Sequence, residues 1–300
     1  MRVNWKEIDV GLIEEACNNS YERYGVYPSV RDLFYTFVDE LWPNTKSTYK
    51  GLSSWLVQKR LSGEIDWELI RDGGGREIDK GDSRFINPED FFESHLEYFQ
   101  KCAKAYSRPK WTSQENKVIV MCEKEADWQI VGSILEDWDV DVMYGRGYSG
   151  WRPLFEIAER IQGSERNPIM ILLGDFDPSG EDIVRFVTRA IQSDLGISSL
   201  VTEKIAVTKE QIEEFRLPHK PEDSEEIRKM RRDPRYKNWE HGLYRVETAA
   251  LRTKQPEYFD KLIVEAVEKH FDESIYKNIR LFDIDDREKI RQMVKNKLKK

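Results

Sequence analysis

The chain has 300 residues, 39% of them hydrophobic and 12% aromatic, enough for a packed core and long enough for two domains. No apolar run approaches the ~20 residues of a membrane-spanning helix; Ile169 to Leu173 is stopped by Gly174 and Asp175, and residues 1–7 lack a secretory pattern, so the reading is of an intracellular, cytoplasmic protein, nucleoid-associated in a prokaryote. The net charge of −8 argues against a protein coated in nucleic acid, and three scattered cysteines, Cys17, Cys102 and Cys122, argue against a disulfide framework or a zinc site.

Residues 10–23 carry apolar positions at helical spacing, and Gly25 closes that helix. After Pro28, Ser29 reads as an N-cap with Asp32 three residues on. Val30, Leu33, Phe34, Phe37 and Val38 form the buried stripe of a second helix that Pro43 and Asn44 end. A third helix, about Thr48 to Leu61, sets Lys46, Tyr49, Lys50, Ser53, Gln58 and Lys59 around Leu52, Trp55, Leu56 and Leu61. A short strand-like stretch from Glu64 to Arg71 and a glycine turn at Gly73, Gly74 and Gly75 follow. Three helices, a strand and a glycine-rich tip read as a winged helix over residues 1–80. Its third helix would enter the major groove of double-stranded DNA, although such modules also bind proteins. Residues 81–112 read as a helical connection.

From residue 113 onward the pattern alternates. Val118 to Met121 is a buried strand, followed by a helix through Trp128, Ile130, Val131, Ile134 and Leu135. Val140 to Met143 is a second strand, with a helix through Leu154, Phe155, Ile157, Ala158 and Ile161, and Ile169 to Leu173 is a third. The fold class is α/β, a mainly parallel sheet flanked by helices with its active groups at the carboxyl ends of the strands. Two residues apart in an extended segment, Asp175 and Asp177 face the same side while Phe176 points inward, and Ser179 is placed to cap the next helix with Asp182. Glu123 directly follows a strand and completes an oxygen set for a hard cation; Glu125 and Asp127 are the competing acids. An aspartate pair after a strand is also what a plain helix-capping loop looks like.

The C-terminal part predicts a strand within Ser199 to Val207, a capped helix from Thr208 to Phe215, and a loop-rich polar segment from Pro218 to Lys237. Helices follow at Tyr244 to Leu251, Tyr258 to Val267 and Ile284 to Leu298. Two basic clusters, Arg228 to Lys237 and Lys289 to Lys300, are either solvated helix faces or phosphate contacts. None of the histidines has metal-ligand spacing with another, and no Gly-x-x-x-x-Gly-Lys-Ser/Thr loop for ATP appears.

A glutamate ending one strand and an Asp-x-Asp ending a later one match the Toprim pattern of topoisomerases, primases and some nucleases. The segments Glu123-Lys124-Glu125-Ala126, Gly145-Arg146-Gly147-Tyr148 and Asp175-Phe176-Asp177-Pro178-Ser179-Gly180 resemble those of the topoisomerase VI A subunit family, whose relatives make meiotic double-strand breaks. In that family a winged helix precedes the Toprim domain, here residues 113–300 with a C-terminal helical elaboration. The family's nucleophilic tyrosine lies in an Arg-Asp/Glu-x-Tyr/Phe-Tyr motif, which Arg31-Asp32-Leu33-Phe34-Tyr35 matches. The resemblance implies Tyr35 as a covalent nucleophile, Arg31 on the scissile phosphate, and magnesium, with manganese as a substitute, on Glu123, Asp175 and Asp177. It also implies a homodimer and a separate ATPase subunit. Spacing alone makes Tyr35 a core aromatic. Arg146 in place of a common lysine, the Ser149-Gly150-Trp151 interruption and the short chain suggest a compact member from a mobile element or defence system. Hydrolytic cutting in which Tyr35 plays no nucleophilic part, and a DNA-binding subunit without turnover, are the alternatives.

Overall fold

The computed structural model describes residues 3–71, 95, 98, 101, 103–145, 151–242 and 245–298. The expected glycine tip at 73–75, most of the 81–112 connection and positions 146–150 lie outside these residues. The chain forms two compact units, one of residues 1–73 with 116–270 and the other of 74–115 with 271–300. The first 73 residues are therefore built onto the sheet-bearing unit.

Three helices open that unit: α1 (Val10–Tyr24), α2 (Val30–Thr36) and α3 (Lys46–Leu61). Helix α1 stops where Gly25 turns left-handed at φ 67°, a conformation that costs glycine little. Ser29 and Asp32 form the expected capping box of α2. That helix is shorter than its apolar stripe suggests. It ends at Thr36 because Asp39 takes a positive φ of 66° and its N–H turns back to the carbonyl of Trp42 at 2.8 Å. The strand expected between Glu64 and Arg71 is instead a 3-10 turn, Trp67–Leu69, followed by a single bridge between Ser29 and Arg71. Leu61, expected among the buried residues of α3, is 72% exposed, while Arg60 is buried and donates to the carbonyls of Trp67 and Ile70. Its Nη2 thus serves two backbone acceptors of this stretch.

The sheet has four parallel strands: β1 (Asn116–Cys122), β2 (Asp141–Tyr144), β3 (Asn167–Leu173) and β4 (Val201–Ala206), in the order β2-β1-β3-β4. Between them run α4 (Glu125–Ile134), α5 (Trp151–Gln162) and α6 (Pro178–Arg189), the last continuing as a π-turn over Ala190–Asp194. On one face Ile119, Met121, Met170 and Leu172 pack with Leu154, Ile157 and Ile161 of α5 and Ile183 and Val187 of α6. The alternate residues of β1 and β3 are buried as well, so both faces are covered, as parallel sheets require.

After β4 come α7 (Lys209–Phe215), α8 (Glu225–Arg232), α9 (Thr248–Lys254) and α10 (Pro256–Glu268). Thr208 and Gln211 form a capping box on α7. The segment expected to be loop-rich carries α8 and a 3-10 turn over Pro234–Asn238, since Ser224 caps a helix whose Ile227 and Met230 are buried. Helix α9 starts at Thr248 rather than near Tyr244, because Val246 is used as a strand-like partner of Phe176. In the other unit the helix expected from Ile284 begins earlier, as α11 (Glu273–Leu298), and Arg108 binds it through Asp286 at 2.6 Å and, by its N–H, Asp283 at 3.0 Å.

Candidate catalytic and metal site

Cys122 pairs with Leu173 across β1 and β3, so Glu123 and Gly174 leave the sheet side by side at its carboxyl edge. Glu123 donates its N–H to the carbonyl of Leu173 at 2.9 Å, and its Oε2 accepts the N–H of Asp175 at 3.0 Å. The fit is close here: a Cβ at Gly174 would lie 3.3 Å from Glu123 Oε2, so the carboxylate would have to shift slightly. Burial, and then the charge of Asp175, pushes the Glu123 carboxyl up to about 7.

Asp175 is buried and fully engaged. Lys124 Nζ donates to its Oδ1 at 2.9 Å and its Oδ2 at 2.6 Å, while the N–H of Thr248 reaches Oδ1 at 3.0 Å. Asp177, not Ser179, caps α6: its Oδ1 accepts the N–H groups of Ser179 and Gly180, both at 2.9 Å. Pro178 at the first helical position, with φ already set, makes Asp177 the last extended residue. Arg245 Nε lies 3.2 Å from its Oδ2. Between the two aspartates Phe176 points inward as expected, and its backbone pairs in antiparallel fashion with Val246. Gly180 holds the loop tight, since a Cβ there would be 2.2 Å from the carbonyl oxygen of Asp175.

The segment 245–252 is the part of the site that sequence reasoning missed. Beyond Arg245 and Thr248, Glu247 accepts from Lys124 at 3.1 Å and from Arg31 of α2. Burial opposes its charge, but Lys124 and Arg31 outweigh it and hold the carboxyl down at about 2. Arg252 is buried and bonds Asp32 at 2.6 Å and Asp127 at 3.2 Å. Asp127, a competing acid beside Glu123, is thereby a structural partner. The sequence signal for this segment was Arg245 and Glu247 ahead of the apolar Ala249 to Leu251, with Arg252 just after it.

Arg31 and Tyr35 thus lie beside the sheet edge, one α-helical turn apart on α2. Tyr35 is 2% exposed. Burial, then the nearby Glu247 carboxylate, pushes its hydroxyl well above the ordinary phenol range, against a smaller opposing pull from Arg31. Lys220 is also buried here, donating to Asn44 Oδ1 at 2.6 Å with its ammonium 5.8 Å from the Tyr35 ring centre.

All five residues expected in the site gather at one edge, but not as a finished metal cage. Among the described residues no three acids are grouped as ligands, because Asp175 is held by Lys124, Asp177 by the helix start, and Glu123 by the Asp175 amide. The donor set still suits magnesium, being all carboxylate oxygen. A cation is already drawn to Asp175 in the form of Lys124, and the Glu123 carboxyl is crowded by its acidic neighbours. No protein-family model and no curated protein matches this chain.

Proposed function

We propose that this chain binds double-stranded DNA and cleaves its phosphodiester backbone with a divalent metal held by Glu123, Asp175 and Asp177. The observation that carries this reading is the convergence of Glu123 and the Asp175–Asp177 loop at the ends of adjacent parallel strands, close enough for the Glu123 carboxylate to accept the Asp175 amide. Magnesium, when bound, would offset the charge on the phosphate oxygens. Arg31, which spends one of its N–H groups on Glu247, has others to orient a phosphate. Lys124 and Glu247 fix the side chain of Asp175 and the position of Arg31.

Water is the nucleophile that this geometry favours. The Tyr35 hydroxyl is buried, and both burial and Glu247 oppose its ionisation. A phosphotyrosyl route of the topoisomerase VI A kind is the second reading, supported by the placement of Arg31 and Tyr35 on the same cluster as Asp175. The homodimer and the ATPase partner belong with that second reading. The test is supercoiled plasmid with magnesium or manganese, quenched in detergent and run with and without protease. Asp175→Ala is expected to lose cutting by ~10³-fold, the order seen when a group that stabilises transition-state charge is removed. Tyr35→Phe is expected to keep cutting and to leave free ends. Protein-linked ends that disappear in Tyr35→Phe would replace hydrolysis by the tyrosine route.

A further inference from the structure

The basic cluster at Arg228 to Lys237 is not absorbed by the site, and its placement gives it a role. Arg228, Arg231 and Arg232 stand at i, i+3 and i+4 on α8, so they share one helix face, and all three are exposed. Lys229 pairs with Glu225 at 2.9 Å, whereas among the described residues the three arginines make no ion pair. The opposite side of the helix is anchored by Ile227 and Met230. Complementing the helix dipole accounts for cations in the last turn, but not for Arg228, which lies mid-helix. In a chain of net charge −8, three unpaired guanidinium groups on one face are a local reversal of sign.

The two ends of α8 are tied to the two places where DNA is expected. At its start Glu225 lies 3.9 Å from Lys46, in the first turn of α3, whose exposed residues include Lys46 and Lys50. At its far end the chain runs into the turn Pro234–Asn238, where Arg235 reaches Ser179 Oγ at 3.2 Å, and then to Trp239, which packs edge-on against Phe176 with ring centres 4.9 Å apart. Phe176 and Ser179 flank Asp177.

We propose that the arginine face of α8 is a backbone track for duplex DNA, carrying phosphates from α3 toward the Asp175–Asp177 loop. This rests on the DNA reading above. Three phosphate contacts imply a salt-dependent contribution: each arginine removed lowers the steepness of log affinity against log salt by up to ~0.9. Fluorescence anisotropy of a labelled duplex over a salt series, without metal, measures it independently of cleavage. The variant R228Q/R231Q/R232Q is expected to lose ~2 to 3 from the slope, while R228K/R231K/R232K keeps it. A charge-matched control off this helix, R189Q/K261Q/K269Q, is expected to leave the slope unchanged, and circular dichroism checks that each variant is folded. A glutamine variant with the slope of the unmodified protein overturns the proposal and leaves the DNA reading standing. An unmodified protein without salt-dependent duplex binding overturns both. Loss of binding to polyglutamate with duplex binding intact would assign the face to an acidic protein partner and overturn the DNA track.

Discussion

At Lys124 one ammonium group is shared between Asp175 and Glu247, and through Glu247 and Arg31 this arrangement ties the proposed metal site to α2. Both oxygens of Asp175 are occupied by a tethered cation, which a divalent ion must displace or share. Lys124→Met is therefore expected to bind manganese about tenfold more tightly, a difference of ~1.4 kcal/mol, read by isothermal titration. Unchanged or weaker affinity would mean that Lys124 does not compete for Asp175. The placement of Glu123, Asp175 and Asp177 at the carboxyl edge of the sheet was legible in the sequence because each stands just past a short apolar strand. Glu247 was not, because it is brought in from more than a hundred residues past Glu123 and its own neighbourhood reads as an ordinary helix start. The burial of Tyr35, by contrast, is what its spacing on α2 predicts, a core aromatic.

Helix α9 acts as a brace, and its strongest attachment is Arg252 between Asp32 of α2 and Asp127 of α4. The better-bonded Asp32 is pulled below the usual carboxylate range by Arg252 despite its burial, while burial raises Asp127. Arg252→Met leaves two buried acids without the cation they share, with Arg71 at 3.7 Å from Asp32 as a looser partner, and is expected to cost ~3–5 kcal/mol in urea unfolding, the range for breaking a buried pair from one side. A loss under ~1 kcal/mol would show that protonation or water replaces the arginine easily. At this scale the central strands and helices followed directly from apolar runs and periodicity. The failures have a common cause. The end of α2, the 64–71 stretch and the start of α9 are each decided by a distant or backbone partner, Trp42, Arg60 or Phe176, that no local pattern reveals.

Across the whole unit, the N-terminal helices, the sheet edge and the 245–252 segment are joined through Glu247 and Arg252, which couples global stability to acid. Glu247 has a folded value of about 2 against an ordinary 4.5. A carboxyl lowered on folding contributes stability that is fully present above its unfolded value and is lost as pH falls toward the folded one. Unfolding measured from pH 6 to 2.5 is expected to show the gap between the unmodified protein and Glu247→Gln closing below about pH 4.5. A gap that stays constant would mean that charge on Glu247 is not what stabilises the unit. The α/β architecture and the parallel sheet were readable from alternation alone. Residues 1–73 join 116–270 in one unit by contacts that skip the intervening segment.

The antiparallel bridge between Phe176 and Val246 means that the loop bearing both aspartates is completed by residues made some seventy positions later. During synthesis the ribosome therefore releases the strands and their acids well before the segment that orients them. Contacts so distant along the chain form late, so a growing polypeptide carries the acids of the site in an unassembled state until translation has passed Arg252. If the chain cuts duplex DNA as proposed, it would thus emerge inert and acquire its reactivity only once that late segment is in place.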